Sequence, residues 1–470
     1  MDSASASIVI IPVGKYSDYS SAHYSFEGVS AVAKITAGLY AKKFPDAHFV
    51  FILQDTLATK HAATTDYEAL CQSVAEDFRA WLNLPDSGVS LAENSFDIIV
   101  APARGIFVDR KSGQKLCATN SQESQRAWLT HQLINVFSRF LPAESLSVYL
   151  DTSHGINSLP LAVAATLDDL LPLCAYRYGV VALKMLNSDP YWQTGQPELE
   201  INVVQQRMVY PDLPFEGYSS NVLKKGVFFK APGDNELAQS LSRKLRDIVD
   251  YTTDQDLQAL LAALRFGFPL AVAWLLSEVE DKINPVEPIF AELRRQTTVT
   301  VASDEILIVA KAVLDNGTLS DLARIHFLLQ VIGDGFRHYT ADQGVTLARL
   351  QDAAGKIYFK NQIEMKLITN ELSGNQGIRT LVENAPADSP IRSGTWQRLA
   401  DLKRPQATEA APAYDRSLSD RNFYAHAGFE LNVVEVRLAG EEIWLRYAQD
   451  VRHHDAMRGH LRALRTSDRN

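Results

Sequence analysis

The stretch SLSVYLDTSHGINSLPLAVAATLDDLL, residues 145–171, contains a strand, a polar turn and a helix in direct succession. Its first residues are rich in Val, Leu and Tyr, which favours a buried strand. The turn DTSHGIN follows, and the apolar residues after it recur at helical spacing. A strand that passes through a turn into a helix is the repeating unit of an α/β sheet.

The same alternation runs through residues 1–205. Further strand-like runs lie at 7–16, 48–55, 95–105, 178–189 and 199–205, and helix-like runs at 25–44, 66–84 and 121–141. Strands that alternate with helices of this length predict a doubly wound, mainly parallel sheet.

Ligands of such sheets bind outside the carboxyl ends of the strands. The residues predicted at those ends are Gly14 to Tyr16, Ala103 to Gly105, Asp151 to Gly155, and Asn187 to Asp189. Neither GxGxxG nor GxxxxGK[ST] occurs after the first strand, which argues against an NAD enzyme and a P-loop ATPase. The turn DTSHGIN precedes a helix, whose free N–H groups suit an anion such as a phosphate.

Two other interpretations of this turn are open. Thr152 or Ser153 is a plausible helix cap, and Gly155 eases the turn, so simple capping accounts for much of the pattern. A hydrolase with Ser153 as nucleophile and His154 as base is disfavoured. Adjacent side chains point apart, and no G-x-S-x-G elbow surrounds them.

Composition limits the class of protein. The chain has 470 residues and a net charge of -10. This length suits two or three domains, and the charge disfavours nucleic-acid binding over the whole surface but permits a local basic site. Three scattered cysteines without a CxxC pair suit a reducing compartment. Neither a signal peptide nor an apolar span of membrane length is recognisable, so we expect a cytoplasmic protein without membrane contact.

The second half has a different pattern. Periodicity fails over 206–235, where Pro, Gly and aromatic residues are frequent, and this predicts a linker or small insertion. Residues 236–470 are predicted to be mostly α-helical, with helical runs at 235–251, 255–283, 304–339 and 344–374. An exposed loop is predicted over 383–419 and a β-hairpin over 433–448. The tail from 451 is predicted to be a solvated helix, with RNA contact as the alternative.

Residues 421–430, RNFYAHAGFE, carry the most chemistry. Arg421 has a planar cationic fork that suits a phosphate, and His426 can pass protons near neutral pH. Asn422 lies four residues before His426, and therefore on the same helical face. These groups suit metal-free RNA cleavage, in which the 2′-hydroxyl attacks its own phosphate. His426 would then handle protons, Arg421 would stabilise the charge, and Asn422 would orient the histidine or a phosphate oxygen.

The alternative is a surface helix capped by Asp420. Two other pairs, Arg126 with His131 and Arg446 with His453, have comparable spacing. We set both aside, because neither arginine is followed by a polar residue and neither pair lies in the helical half with room for a site.

Taken together, DTSHGINSLP and RNFYAHAGFE resemble the signature segments of the CARF–HEPN ribonucleases of type III CRISPR systems. IIPVGKYSD (10–18) and LNSDPYW (186–192) are similar to further segments of that family, in the same order along the chain. The resemblance implies a Rossmann-like CARF sensing domain over 1–205, a linker over 206–235 and a helical HEPN ribonuclease domain over 236–470.

The resemblance also implies an activity. The family cleaves single-stranded RNA after activation by a cyclic oligoadenylate, and we expect tetra-adenylate here, with no metal and no other cofactor. It implies a homodimer, with higher homo-oligomers open, in which two copies of the Arg–His motif form one site. Arg421, Asn422 and His426 match the catalytic motif.

The resemblance further implies the ligand-binding residues. Gly14 and Lys15 match the first ligand loop, and the second is matched by Thr152, Ser153, His154, Gly155 and Asn157. Lys15 and Arg104 would add positive charge for a polyanionic ligand. No metal-binding residue is predicted.

Two hypotheses compete with this one. In the first, a CARF-type sensor regulates a helical half that binds DNA or a protein partner. The mixed charge of residues 235–340 gives it little support, because a recognition helix would show a basic face. In the second, the chain is a metabolic enzyme on a doubly wound sheet, which the missing glycine fingerprints oppose.

Overall fold

The computed structural model describes residues 5–58, 65–108, 113, 115–154, 158–190, 198–213, 228–302, 305–337, 339–403 and 418–467. The strands are β1 Ser5–Pro12, β2 Ala22–Phe26, β3 Val29–Ala33, β4 His48–Gln54, β5 Phe96–Ala101, β6 Gly105–Val108, β7 Lys115–Thr119, β8 Ser145–Asp151, β9 Val181–Ser188, β10 Glu198–Val209, β11 Phe229–Lys230, β12 Thr297–Val301, β13 Glu305–Ala310, β14 Val313–Leu314, β15 Val345–Thr346, β16 Gln397–Arg398, β17 Val434–Ala439 and β18 Glu442–Tyr447. The helices are α1 Ala37–Lys43, α2 Tyr67–Leu82, α3 Gln122–Ser138, α4 Ser158–Tyr178, α5 Asn235–Arg246, α6 Tyr251–Arg265, α7 Pro269–Val279, α8 Glu287–Arg295, α9 Thr318–Phe336, α10 Leu347–Tyr358, α11 Gln362–Ser373, α12 Ile378–Glu383, α13 Leu399–Lys403, α14 Asp420–Ala425 and α15 Val451–Ser467.

The chain forms two compact units that are not continuous in sequence. The first contains Met1–Tyr210, Gly226–Leu245 and Pro285–Phe327, and the second is built mainly of Arg246–Asn284 and Leu328–Asn470. The sequence-based division instead assigns everything after residue 235 to the helical domain. The difference arises because residues 285–327 contain strands that pair with the N-terminal half.

The main sheet of the first unit has the order β3-β2-β10-β9-β8-β1-β4-β5. Its five strands from β9 to β5 are all parallel, which confirms the α/β prediction. β10 runs antiparallel to β9, and β3 antiparallel to β2, so the sheet as a whole is mixed. The strand–turn–helix at 145–171 becomes β8 and α4 at the centre of this sheet.

One predicted helix of this unit is wrong. Residues 25–44 were expected to be helical, but β2 and β3 form a hairpin there and α1 begins only at Ala37. Glu27 and Gly28 both have positive φ, 45° and 80°, as a two-residue hairpin turn requires. Tyr24 and Phe26 are buried on alternate positions, which is the period of a strand.

A second prediction fails over 304–339. Its first part is β13, which pairs in parallel with β7 and antiparallel with β12, and the helix α9 begins at Thr318. The run EILIVA is short and continuously apolar, so its period does not distinguish a strand from a buried helix. Its partner β7 lies almost 200 residues earlier in the chain, and this long-range pairing decides the outcome.

Helix α4 lies in the core of the first unit. Among the described residues it is the one helix long and apolar enough to cross a membrane by length and composition. More than half of its most apolar window is buried inside the protein, and it contacts β1, β8, β9 and β10. The apolar composition of α4 is therefore explained by its place in the core, where it covers the sheet.

The second unit is mainly helical, as predicted. Its four-stranded sheet has the order β15-β18-β17-β16, and β17 with β18 is the predicted hairpin. The predicted helical run 255–283 is two helices, α6 and α7, separated at Gly267, where φ is 75°. Together with the sheet of the first unit, this confirms the predicted α/β plus all-α fold class.

The predicted loop 383–419 is partly regular structure. Within it, β16 pairs with β17 and α13 follows directly, while residues 404–417 lie outside the described residues. The tail is helical, as expected, and its Arg458 faces inward. The Arg458 Nε atom lies 2.6 Å from Asp256 Oδ1, and the guanidinium lies 4.8 Å from the ring centre of Trp274.

Candidate functional site

Helix α14 carries the segment RNFYAH on the second unit. The Ser419 side chain accepts a hydrogen bond from the Asn422 N–H and caps the helix, so the predicted cap at Asp420 is wrong by one residue. Phe423 is fully buried and stacks on Phe268 with ring centres 5.3 Å apart. The Tyr424 hydroxyl donates to the backbone carbonyl of a residue in α15, at 3.0 Å. The two aromatic residues therefore fix the helix, while Arg421 and Asn422 are exposed.

The chain turns sharply directly after the histidine. Ala427 and Gly428 have φ of 49° and 83°, and the Gly428 N–H donates to the Phe423 carbonyl at 2.9 Å. A Cβ atom at position 428 would lie 2.9 Å from the Tyr447 hydroxyl and 3.0 Å from the Phe268 ring. The Ala-Gly pair after the histidine is thus explained, because the helix ends in the left-handed conformation and only glycine fits at position 428.

His426 is held by a carboxylate that the sequence analysis did not identify. Its Nδ1 atom lies 2.8 Å from Glu371 Oε1, on α11. The His426 side chain is 41 % exposed and the Glu371 side chain 22 %. Since Nδ1 is engaged, Nε2 is the nitrogen that can meet a substrate. The Asn422 carbonyl accepts the His426 backbone N–H at 3.0 Å, which confirms their predicted one-turn relation.

One further carboxyl group belongs to this neighbourhood. Glu430 is buried, and its two oxygens accept hydrogen bonds from the backbone and side-chain amides of Asn432. Burial raises the pKa of Glu430, while the hydrogen bond from Asn432 and the charge of His426 oppose that shift. Its bonds to Asn432 make it a structural group of the loop after the helix.

Residues 151–154, which begin the polar turn and are called the closed turn below, are held by hydrogen bonds among themselves and with Thr36 and β9. Asp151 is fully buried and accepts from the Thr36 hydroxyl on one oxygen. Its other oxygen accepts from the Ser153 backbone N–H at 2.9 Å and from the Ser153 hydroxyl. The Ser153 hydroxyl oxygen in turn accepts from the Ser188 N–H at 2.8 Å, and Thr152 donates to the end of β9. The turn therefore ties together the carboxyl ends of two neighbouring strands.

His154 is the centre of this closed turn. Its Nε2 atom accepts the Thr36 N–H at 3.1 Å, and its carbonyl accepts from the Gly14 N–H at 2.9 Å and the Tyr19 hydroxyl at 2.6 Å. Because Nε2 acts as an acceptor, the ring is neutral with its proton on Nδ1. Burial lowers the pKa of His154, and the nearby charge of Asp151 opposes the shift.

A cavity of about 390 Å³ opens beside this turn. Two of the predicted ligand residues, Ser153 and His154, line it, together with the predicted strand end Asn187–Asp189. Gly14 reaches the turn through its backbone N–H. Lys15 forms an ion pair with Asp18, with the charged atoms 3.1 Å apart.

The structure separates one predicted residue from the others. Arg104 lines a different cavity, of about 720 Å³, together with Lys311. Gly155 and Asn157 lie outside the described residues. Sequence reasoning missed Tyr19 and Lys34, which line the cavity of His154. Tyr19 lies in the loop after β1 that also contains Gly14 and Lys15, so its position at the end of that strand was the available signal.

Comparisons with known proteins give both units a family. Residues 8–190 match the family described as the CARF domain of the CRISPR system endoribonuclease Csx1, and residues 361–449 match its HEPN domain. The chain belongs to the CARF–HEPN endoribonucleases of CRISPR systems. The resemblance stated from the sequence is confirmed.

A curated relative supports this family assignment over nearly the whole chain. The CRISPR system endoribonuclease Csx1 of Methanocaldococcus jannaschii is 22% identical over 440 residues, which cover 92% of this chain and 87% of the relative. The CARF match contains the closed turn and most of the residues that line its cavity, and the HEPN match contains both Glu371 and His426. The two candidate sites thus fall in the two family domains.

Proposed function

We propose that this protein is an endoribonuclease that cleaves single-stranded RNA without a metal ion and is activated by a cyclic oligoadenylate, in type III CRISPR antiviral defence. The observation that carries the proposal is the arrangement on α14. The carboxylate of Glu371 holds the Nδ1 atom of His426 at 2.8 Å, and Arg421 and Asn422 of the same segment are exposed. A histidine oriented by a carboxylate, in a segment that also exposes a cationic fork, suits acid–base chemistry at a phosphate.

The proposed reaction follows from these groups. The ribose 2′-hydroxyl loses its proton to a base and attacks the adjacent phosphorus. The bond to the 5′-oxygen breaks, that oxygen takes up a proton, and a 2′,3′-cyclic phosphate remains. His426 Nε2 accepts or delivers one of these protons, and the Arg421 guanidinium stabilises the negative charge that accumulates on the phosphoryl oxygens. DNA lacks the attacking hydroxyl and would not react.

The second proton-transfer group is proposed to come from a second chain. One α14 offers a single histidine, and transfer at both the attacking and leaving oxygens is simplest with two. A homodimer that brings two copies of Arg421 and His426 together would supply both. This composite site is the one implied by the family resemblance.

We propose the cavity at the closed turn as the activator site. Pockets that hold one small ligand typically measure about 300–1,000 Å³. At about 390 Å³ the cavity is near the lower limit, whereas a ring of several nucleotides is much larger. Two such cavities facing each other in a dimer would accommodate a ring with matching symmetry. Tetra-adenylate is the ring we expect.

The test is cleavage of a fluorophore-quenched single-stranded RNA in EDTA, with cyclic tetra-adenylate, cyclic hexa-adenylate or neither. Wild type and His426→Ala are assayed side by side, and the product ends are analysed by mass. We expect cleavage that requires one of the rings, yields 2′,3′-cyclic phosphates and vanishes in the variant. Cleavage only after metal is restored would contradict the metal-free reaction. No cleavage with either ring, together with duplex binding, would favour the regulator hypothesis.

A further inference from the structure

Glu371 is placed with some precision against His426. It lies on α11, whose Ile368 and Leu372 are buried, and Glu364 of the same helix packs against Gly267, where an added Cβ atom would lie 2.9 Å away. These contacts fix the rotation of α11, and therefore the side of the helix on which Glu371 projects. The carboxylate reaches a histidine that is 55 residues further along the chain.

A carboxylate in this position has two effects on an imidazole. An ionised Glu371 accepts a hydrogen bond only from a protonated Nδ1, so it selects the tautomer in which Nε2 has the free lone pair. It also favours the imidazolium ion that forms when Nε2 takes up a proton, since the charges are opposite and the hydrogen bond is charge-assisted. Both effects make Nε2 a better proton acceptor toward RNA.

We propose that Glu371 is the positioning residue of the ribonuclease site, which holds His426 with its proton on Nδ1 and presents Nε2 to the RNA. This inference rests on the proposed function, and it adds a residue that neither the sequence motif nor the family match identifies. Glu371 itself does not touch the substrate in this arrangement. It acts through His426, as the carboxylate of a catalytic triad does.

Other charged groups near His426 do not take this role. Glu430, in the loop after α14, has its carboxylate engaged by the amides of Asn432. Arg421, at the start of α14, is cationic and exposed. His460, on α15, packs its ring against Phe423 and Tyr424, and its backbone carbonyl accepts from the Tyr424 hydroxyl. The Glu371 carboxylate, by contrast, lies within hydrogen-bond distance of an imidazole nitrogen of His426, at 2.8 Å.

The test compares three variants as full-length protein with activator. Glu371→Gln keeps the shape but removes the charge, and Glu371→Asp keeps the charge on a shorter side chain. Glu364→Gln is the matched control, because it removes the same charge from the same helix about two turns before Glu371 and keeps the Cβ and Cγ atoms that pack against Gly267. We expect Glu371→Gln to lower kcat by about 10- to 100-fold, the range found when a group that orients a functional histidine is removed. KM should stay unchanged, Glu371→Asp should recover part of the rate, and Glu364→Gln should behave as wild type.

The comparison of kcat with the amount of folded protein separates positioning from simple support of the fold. A merely structural role would lower activity in proportion to the loss of folded protein, and Glu371→Asp would then not recover the rate through its charge. Wild-type kcat in Glu371→Gln, with equal unfolding temperatures, would overturn the inference.

A measurement without turnover keeps this inference distinct from the proposed function. The ring nitrogen shifts of His426, assigned by their loss in His426→Ala, report its tautomer by NMR. We expect the Nδ1–H form in wild type and in Glu364→Gln, and a loss of that form in Glu371→Gln. If wild type never cleaves RNA, the proposed function fails, and the tautomer still decides this inference. An unchanged tautomer in Glu371→Gln would overturn it.

Discussion

The turn after β8 and the helix α14 both present a polar signature that contains one histidine, but the two histidines are held differently. His154 of the turn is bound on its ring and its carbonyl by Thr36, Gly14 and Tyr19. His426 is half exposed, and a side chain rather than the backbone holds its Nδ1. The turn signature therefore fixes one wall of a cavity, whereas the helix signature leaves one ring nitrogen of its histidine without a bond to Glu371.

The largest effect on activity that this contrast predicts is that of replacing His426, at the end of α14. His426→Ala should lower RNA cleavage by at least about 10²-fold, as expected when a proton-transfer group is removed. Its unfolding temperature should stay close to that of wild type, because Phe423 and Tyr424 hold the helix and the His426 ring is half exposed. Cleavage and thermal unfolding are measured on the same preparation. Wild-type cleavage would remove His426 from the site, and a large fall in unfolding temperature would make it a structural residue.

The largest predicted effect on stability lies at the turn. His154→Ala removes the acceptor of the Thr36 N–H and a ring packed against Tyr19, with ring centres 4.9 Å apart. We expect a loss of about 1–3 kcal/mol in the free energy of unfolding, the cost of leaving a buried donor unpaired. Chemical denaturation measures it. The activator concentration for half-maximal cleavage should also rise, and an unchanged value would move the activator pocket elsewhere.

A pH dependence should follow from the same histidine. Because burial lowers the pKa of His154, the unfolded chain binds its proton more readily than the folded chain. The contribution of His154 to stability is therefore full above the ordinary histidine value of about 6.5 and declines as the pH falls below it. We expect the free-energy difference between wild type and His154→Gln to shrink between pH 7.5 and about pH 5.5. A difference that does not vary with pH would mean that His154 does not titrate in this way.

Asp55 should make the free energy of unfolding depend on pH in the opposite direction. Comparing wild type with His154→Gln removes this contribution. It is buried at the end of β4, and burial raises its pKa to about 7, while hydrogen bonds from the Ala103 N–H and Tyr67 oppose the shift. A carboxyl group whose pKa is raised in the folded protein stabilises the fold at low pH, and this contribution is lost as the pH rises toward 7. Since Asp55 is present in both proteins, its effect cancels in their difference.

The smallest predicted effect on stability is at Lys15. Its ion pair with Asp18 is exposed, and such pairs contribute about 0–1 kcal/mol. Lys15→Ala should therefore leave the unfolding free energy nearly unchanged while it weakens activation by the polyanionic ring. Titration of activator against cleavage measures this effect, with Arg104→Ala as comparison, because Arg104 lines the separate cavity. Equal effects of the two variants would mean that the activator reaches both cavities.

Much of the fold was predictable because local patterns and tertiary structure agree. The parallel strands are short buried runs separated by amphipathic helices, and such sequences have few alternatives. The hairpin at residues 25–33 and strand β13 were mispredicted for the same reason. Their residues are also compatible with a helix, and partners distant in sequence, β10 for the hairpin and β7 for β13, determine which structure forms.

The sequence by itself determined the parallel strands and the amphipathic helices between them, marked the polar turn as a candidate site, and placed Arg421, Asn422 and His426 in one short segment, since each depends on neighbouring residues. The tertiary structure decided the rest. In the folded chain β13 pairs with β7, Arg104 lines a different cavity from His154, and Glu371 lies 2.8 Å from His426. Contacts between residues far apart in the chain depend on how its helices and strands pack, and no local pattern encodes them.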